Sequence, residues 1–146
     1  MFFDKFNPLS LTHLEGDMVQ KLNIQHIQDM ISYEKLTQEE FITPLLETFK
    51  KSLVPNLQQM HDDLIKNDLL HLSQISHALK SSALQLGMLR LGHLFLTLET
   101  EGIRKSQFPF KKMLMELESE IPLSIKALEK YLKESKRWEV IHCCTS

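Results

Sequence analysis

Apolar residues return every three or four positions along almost the whole chain, and that spacing admits helices and little else. Phe41, Leu45, Phe49 and Leu53 recur at intervals of four, and Leu57, Met60, Leu64 and Ile65 continue the stripe. A helix of about 3.6 residues per turn gathers such positions onto one face. Ile24, Ile27 and Ile31 show the same spacing earlier in the chain. Leu91, Leu94, Phe95 and Leu98 show it later, followed by Leu114, Leu117, Ile121, Ile125, Leu128 and Leu132. Strand-like alternation is absent, and only four glycines interrupt the pattern. The 146 residues therefore predict one all-α domain, long enough to bury a real core.

Local signals divide the chain. Residues 1–21 form an N-terminal arm rich in apolar side chains (Phe2, Phe3, Phe6, Leu9, Leu11, Leu14, Met18), expected to pack on the domain as an extra helix or turn. Residues 22–135 form the bundle, beginning with a short helix over Leu22–Ser32. Thr37-Gln38-Glu39-Glu40 reads as a capping box for the next helix, with Leu36 stapled to Phe41. Pro44 and Pro55 are expected to kink or split that helix, unless Thr43 caps it and Pro44 opens it. Asn67 and Asp68 make the following turn, with Asp68 as the N-cap. Gly87 either stops the third long helix or lets it pack closely on a neighbour. The next helix covers about Met88–Lys105, and Gly102 and Pro109 bracket the loop after it. The last runs over about Phe110–Ser135, bent at Pro122. Residues 136–146 are expected to be a flexible tail.

Several function classes are excluded by composition. The net charge of −2 supplies no basic footprint for nucleic acid. No run approaches the roughly 20 apolar residues that span a bilayer. The N-terminal apolar stretch is broken at once by Asp4 and Lys5, unlike a signal peptide. Cys143 and Cys144 are adjacent and give no disulfide framework, so a cytoplasmic location is expected. No nucleotide-binding glycine loop and no paired Glu-x-x-His ligand motif is present. His13, His26, His61, His71 and His93 are scattered without ligand spacing, and no metal or cofactor is expected to bind the chain itself. His142-Cys143-Cys144 is read as tail rather than as a metal site.

The remaining histidine stands apart. In the run His77-Ala78-Leu79-Lys80-Ser81-Ser82-Ala83-Leu84-Gln85-Leu86-Gly87, the apolar stripe is Leu72, Ile75, Leu79, Ala83 and Leu86. At roughly 100° per residue, His77 lies about 140° from Leu72, on the far side of the helix. Ser73, Gln74, Ser81, Leu70 and Leu84 share its neighbourhood. An exposed imidazole, neutral near pH 7, with a lysine one turn away and small residues between, suits the receipt and release of a phosphoryl group. Exposed Leu70 and Leu84 beside it suggest a docking patch.

His77-x-x-Lys80-Ser81-Ser82-Ala83-x-x-x-Gly87 resembles the signature of histidine phosphotransfer (HPt) domains, and a basic residue after the glycine, Arg90, matches too. The resemblance spans about Leu22–Leu132, but its specific motif residues lie on the histidine helix. It implies an antiparallel up-down four-helix bundle that relays phosphoryl groups between receiver-domain aspartates. It makes His77 the phospho-acceptor at Nε2, with Lys80 beside the phosphate. Ser81 stands where the family usually has glycine, which adds bulk and a hydroxyl. Leu98-Glu99 resembles the family's Leu-Glu pair. A related chemotaxis module uses a glutamate at this spacing to bond Nδ1, which implies that Glu99 orients the ring. The surface expected to meet a partner is Leu70, Gln74, Leu84, Met88 and Arg90.

The implied partners are response-regulator receiver domains and a hybrid sensor histidine kinase. The receiver would bring magnesium and the acidic cluster. The chain would then be a monomeric stoichiometric carrier rather than an enzyme. The alternative on the same bundle is a non-phosphorylated adaptor that binds a receiver or kinase through the surface around His77.

Overall fold

The computed structural model describes residues 21–105 and 107–145, with side chains described as far as Lys136. Among these residues the chain forms five helices and no strand: α1 Ile24–Thr37, α2 Ile42–Lys66, α3 Leu69–Gln85, α4 Leu89–Arg104 and α5 Phe110–Thr145. They pack as a helical bundle around one core, in which Met60, Leu72, Leu79, Phe95, Leu98, Leu114 and Leu117 are almost wholly buried. The expected N-terminal arm lies outside the described residues except for Lys21.

The junction of α1 and α2 departs from the sequence reading. α1 continues to Thr37, so the Thr37–Glu40 segment is no capping box. The Thr37 hydroxyl donates to the Tyr33 carbonyl at 2.9 Å and accepts from the Glu39 amide at 3.3 Å. Leu36 is 84% exposed and staples nothing. The start of α2 is capped from α1 instead. Glu34 Oε2 accepts from the amides of Phe41 at 2.7 Å and Ile42 at 2.8 Å. A carboxylate is favoured there because the first amides of a helix lack intrahelical partners and carry its positive end.

Neither proline divides α2. Pro44 is its third residue, within the first turn, where a missing N–H removes no helical bond. Pro55 lies inside the helix on an exposed face shared with Lys51, so the carbonyl it orphans can turn to water. Ile65, expected on the core stripe, is 83% exposed near the C-terminal end of α2. Asn67 takes the left-handed conformation at φ 58°, and Asp68 caps α3 by accepting from the His71 amide at 3.1 Å.

The buried face of α3 is wider than its leucines suggest. Ser73 and Ser76 are buried with Leu72, Leu79 and Ala83. Ser73 was expected beside His77; it faces the core. Both hydroxyls are satisfied within the helix, donating to the carbonyls of Leu70 and Leu72 at 2.7 and 2.9 Å. The small size of Ser73 lets α4 come close. A Cβ on Gly102 would stand 2.9 Å from the Leu69 carbonyl oxygen and 3.0 Å from Ser73 Cβ, and one on Gly92 would stand 2.3 Å from Leu84 Cδ2. Two glycines on α4 thus set its separation from α3 near both ends.

Gly87, between α3 and α4, does both things its sequence context allows. It ends α3 with φ 79°, and a Cβ there would sit 2.6 Å from Ile27 Cγ1. Its carbonyl accepts from the Asn23 amide at 2.7 Å, which seats the start of α1 on this turn. Nearby, buried Glu120 of α5 accepts from Lys21 Nζ at 2.8 Å, with Arg90 Nε at 3.6 Å.

α5 outruns its expected end at Ser135. It remains helical through residues 136–145, which the sequence reading had as a flexible tail. No glycine or proline follows Pro122 to stop it, and the intervening segment is rich in good helix formers.

Gly102→Ala tests the α3–α4 spacing. Alanine improves helix propensity by about 1 kcal/mol, but overpacking against a backbone oxygen costs about 1–3 kcal/mol. We expect a net loss, read as a melting temperature lower by about 2–4 °C. A rise would mean that the helices have slack at this point.

Candidate functional site

The α3–α4 contact brings three ionisable groups together on the surface. His77 and Lys80 come from successive turns of α3, and Glu99 comes from α4, one turn before Gly102. Glu99 Oε1 lies 2.7 Å from His77 Nδ1, and Glu99 Oε2 lies 2.7 Å from Lys80 Nζ. The His77 side chain is 62% exposed, whereas those of Glu99 and Lys80 are only 14% and 18% exposed. The carboxylate and the ammonium therefore form a half-buried support beneath an open ring.

Burial pushes the Glu99 carboxyl upward, but the hydrogen bonds from Lys80 and then His77 outweigh it and hold the pKa below the ordinary glutamate value. An ionised carboxylate can only accept. Nδ1 of His77 must therefore carry the proton that it shares with Glu99. In the neutral ring this places the lone pair on Nε2. Nε2 makes no hydrogen bond among the described residues and sits on the exposed ring.

Two other histidines face carboxylates, and the comparison is informative. His61 Nε2 contacts Glu118, and His71 Nδ1 lies 2.8 Å from Asp63 Oδ2. Among the described residues, only the carboxylate at His77 also binds a lysine. His71 has the opposite setting. Asp63, Asp68 and His71 place possible ligand atoms within 4.8 Å of one another, and a second carboxylate repels an arriving anion. Sequence spacing did not reveal this group, because Asp63 comes from the end of α2 and the others from the start of α3. Asp63 is already engaged by His71 and by Gln59 Nε2 at 3.0 Å. His93 is half-buried on α4, and burial lowers its pKa. His26 Nε2 is 2.7 Å from the Gln85 carbonyl oxygen. His13 and the side chains of His142, Cys143 and Cys144 lie outside the described residues.

The remaining site residues divide into two sets. Ser81 is exposed one turn beyond His77, and its hydroxyl donates to the His77 carbonyl at 3.1 Å. Gln74 is exposed, as are Leu70 at 53% and Leu84 at 40%. Met88 is a correction: it is wholly buried and cannot belong to a partner surface. It follows Gly87, and the turn directs its side chain into the core. Arg90 is only partly exposed and is drawn toward Glu120 rather than into the His77 group. That pairing joins positions 30 apart on different helices, beyond the reach of local periodicity.

The family model of the Hpt domain matches residues 44–138, well over half of the chain. The chain belongs to the Hpt domain family. No curated protein and no solved structure matches it. The matched span runs from the first turn of α2 into α5, so it includes His77, Lys80 and Glu99 and leaves α1 outside. Hpt domains are phosphoryl carriers rather than catalysts, and they work with kinases and receiver domains in phosphorelays. Among the described residues, no helix of this Hpt protein is long and apolar enough to cross a membrane.

The depressed pKa of Glu99 has a consequence for stability. The unfolded chain takes up a proton at this position at higher pH than the folded Hpt domain does. The stabilisation is therefore complete at neutral pH and is lost as pH falls through the folded-state value. Unfolding of the parent and of Glu99→Gln should be compared between about pH 7 and about pH 3. The parent should lose more stability across that range. Parallel curves would show that Glu99 is not held ionised by His77 and Lys80.

Proposed function

We propose that this Hpt protein relays a phosphoryl group between receiver-domain aspartates through a phosphohistidine at Nε2 of His77. The observation that supports this most directly is the ring's arrangement: Nδ1 is engaged by Glu99 at 2.7 Å, while the side chain is 62% exposed. The attacking lone pair is thereby directed to the accessible nitrogen. In this reading Nε2 attacks the phosphorus of a receiver phosphoaspartate. The new N–P bond forms as the P–O bond to the aspartyl carboxylate breaks, and that carboxylate leaves. Nδ1 keeps its proton, so positive charge develops on the ring, and Glu99 stabilises it. The reverse sequence passes the group to another aspartate.

Lys80, one turn from His77, offsets the charge of the bound phosphoryl group. Its contact with Glu99 keeps the ammonium near the ring before phosphate arrives. Ser81 can donate to a phosphoryl oxygen after releasing the His77 carbonyl. Leu70, Gln74 and Leu84 form the surface that meets the receiver. The receiver supplies magnesium and the acidic cluster, and a hybrid sensor kinase feeds the relay. The carrier works as a cytoplasmic monomer. We read α2–α5 as its antiparallel four-helix core, with α1 as the added N-terminal segment.

Incubation with a phosphorylated receiver tests the reading. The parent protein should acquire acid-labile phosphate, and His77→Gln should acquire none while keeping its helical content. Label persisting in that variant would move the acceptor elsewhere. A parent that binds receiver but never takes up phosphate would be an adaptor. Lys80→Ala should slow transfer by roughly ten- to a hundredfold, the value of one charge-assisted contact of about 1.5–3 kcal/mol. Glu99→Gln should slow it less, because the amide can still accept from Nδ1–H.

A further inference from the structure

When Nε2 of His77 carries a phosphoryl group, the state of Nδ1 decides how easily that group is lost. An acceptor oxygen, from an aspartate or from water, attacks phosphorus, and the N–P bond breaks with its electron pair returning to Nε2. With a proton on Nδ1 the ring leaves as neutral imidazole. Without that proton it must leave as an imidazolate anion, a far poorer leaving group. The proton on Nδ1 therefore separates a labile phosphoryl group from a durable one.

Glu99 acts on that proton. Its Oε1 lies 2.7 Å from Nδ1, and its Oε2 is taken by Lys80 at 2.7 Å. Burial works against the Glu99 charge, but hydrogen bonds from Lys80 and then His77 hold the carboxyl ionised. An ionised carboxylate accepts and cannot donate, so a bare Nδ1 would turn its lone pair toward a negative oxygen. A protonated Nδ1 finds its partner already in place. The Glu99 side chain is 14% exposed and little screened, whereas the ring, at 62%, leaves Nε2 open to water. Among the described residues, Glu99 is the charged group bonded to the ring, and Lys80 is the cation held on its other oxygen. The α4 positions about one turn to either side of Glu99, Leu96 and Ile103, are apolar.

We infer that Glu99 keeps phospho-His77 in its protonated, labile form through neutral pH, so that the carrier discharges to water as well as to a receiver. The inference rests on His77 as the phosphoryl acceptor. In the discharge the oxygen of one water joins phosphorus, and its protons go to the released phosphate or to solvent. Nδ1 keeps its own proton throughout, and the ring returns to the tautomer it had before phosphorylation. The contact that prepares Nε2 to take the group thus also limits how long the group is held.

The test loads the parent and Glu99→Gln with phosphoramidate, a small donor that needs no receiver. The His77 label, identified as the phosphorus NMR signal that His77→Gln lacks, is followed between about pH 6 and about pH 9, which brackets the ordinary imidazole range. In both proteins loss should slow as pH rises and Nδ1 gives up its proton. Glutamine can accept from a protonated Nδ1 or donate to a bare one, so it no longer favours the labile form. The variant's profile should lie about one pH unit lower, and at the alkaline end its label should last about tenfold longer. The parent's own profile should fall by a similar amount in denaturant, where the carboxylate leaves the ring. Coincident profiles for the folded parent and variant would overturn the inference. A parent profile that does not move on unfolding would overturn it too. The expected profiles in a protein that takes no phosphate from any receiver would leave the inference standing and bring down the relay reading instead.

Discussion

The close approach of α3 and α4 governs the site. Glu99 reaches His77 and Lys80 because Gly102, one turn further along α4, meets the Leu69 carbonyl and Ser73 with no Cβ between them. Buried Ser73 of α3 serves the same end, since a leucine there would hold the helices apart. Without that proximity the lysine and histidine would stand on one helix with no shared counter-charge. The core stripes of α3 and α4 bury Leu72, Leu79, Leu91, Phe95 and Leu98, but the small residues decide how near the helices come. The chemistry depends on that distance.

Among the described residues, three histidines pair with carboxylates, and only one of them has the electrostatics for an anionic group. A carboxylate alone can orient a ring, as at His61 and His71. It also leaves negative charge where phosphate would have to sit. Lys80 cancels that charge at His77, using the second oxygen of the same carboxylate. One half-buried acid therefore sets the proton position on the ring and keeps a cation beside it. Ser81, in place of the small hydrogen-only residue usual in the family, occupies its hydroxyl with the His77 carbonyl and adds no unsatisfied polar group.

Much of this was readable from residue spacing. The exposure of His77 followed from the Leu72–Leu86 stripe, and the cap at Asp68 from its place before an apolar run. Short-range patterns failed where the decisive partner was distant in sequence. Thr37–Glu40 has the letters of a capping box, yet Glu34 reaches forward from the preceding helix and serves α2 instead. Arg90 looks like a surface cation until Glu120 draws it in. Met88 follows a glycine turn, and no wheel drawn through α3 carries across the left-handed step at Gly87. Ile65 fits the α2 stripe numerically but falls near the end of the helix, where no neighbour covers it.

The cap supplied by Glu34 bears on how the molecule opens. α1 stands outside the segment that matches the Hpt family, which invites treating it as a detachable addition. Its carboxylate nevertheless satisfies the first amides of α2, its Ile27 fills the space left by Gly87, and its leading amide is bonded to the α3–α4 turn. Fraying of α1 would strip partners from two other elements at once. Its amides and those of Phe41 and Ile42 are therefore expected to open as one cooperative unit, exchanging with solvent together rather than in sequence from the end. The boundary drawn by family likeness and the boundary drawn by free energy fall in different places.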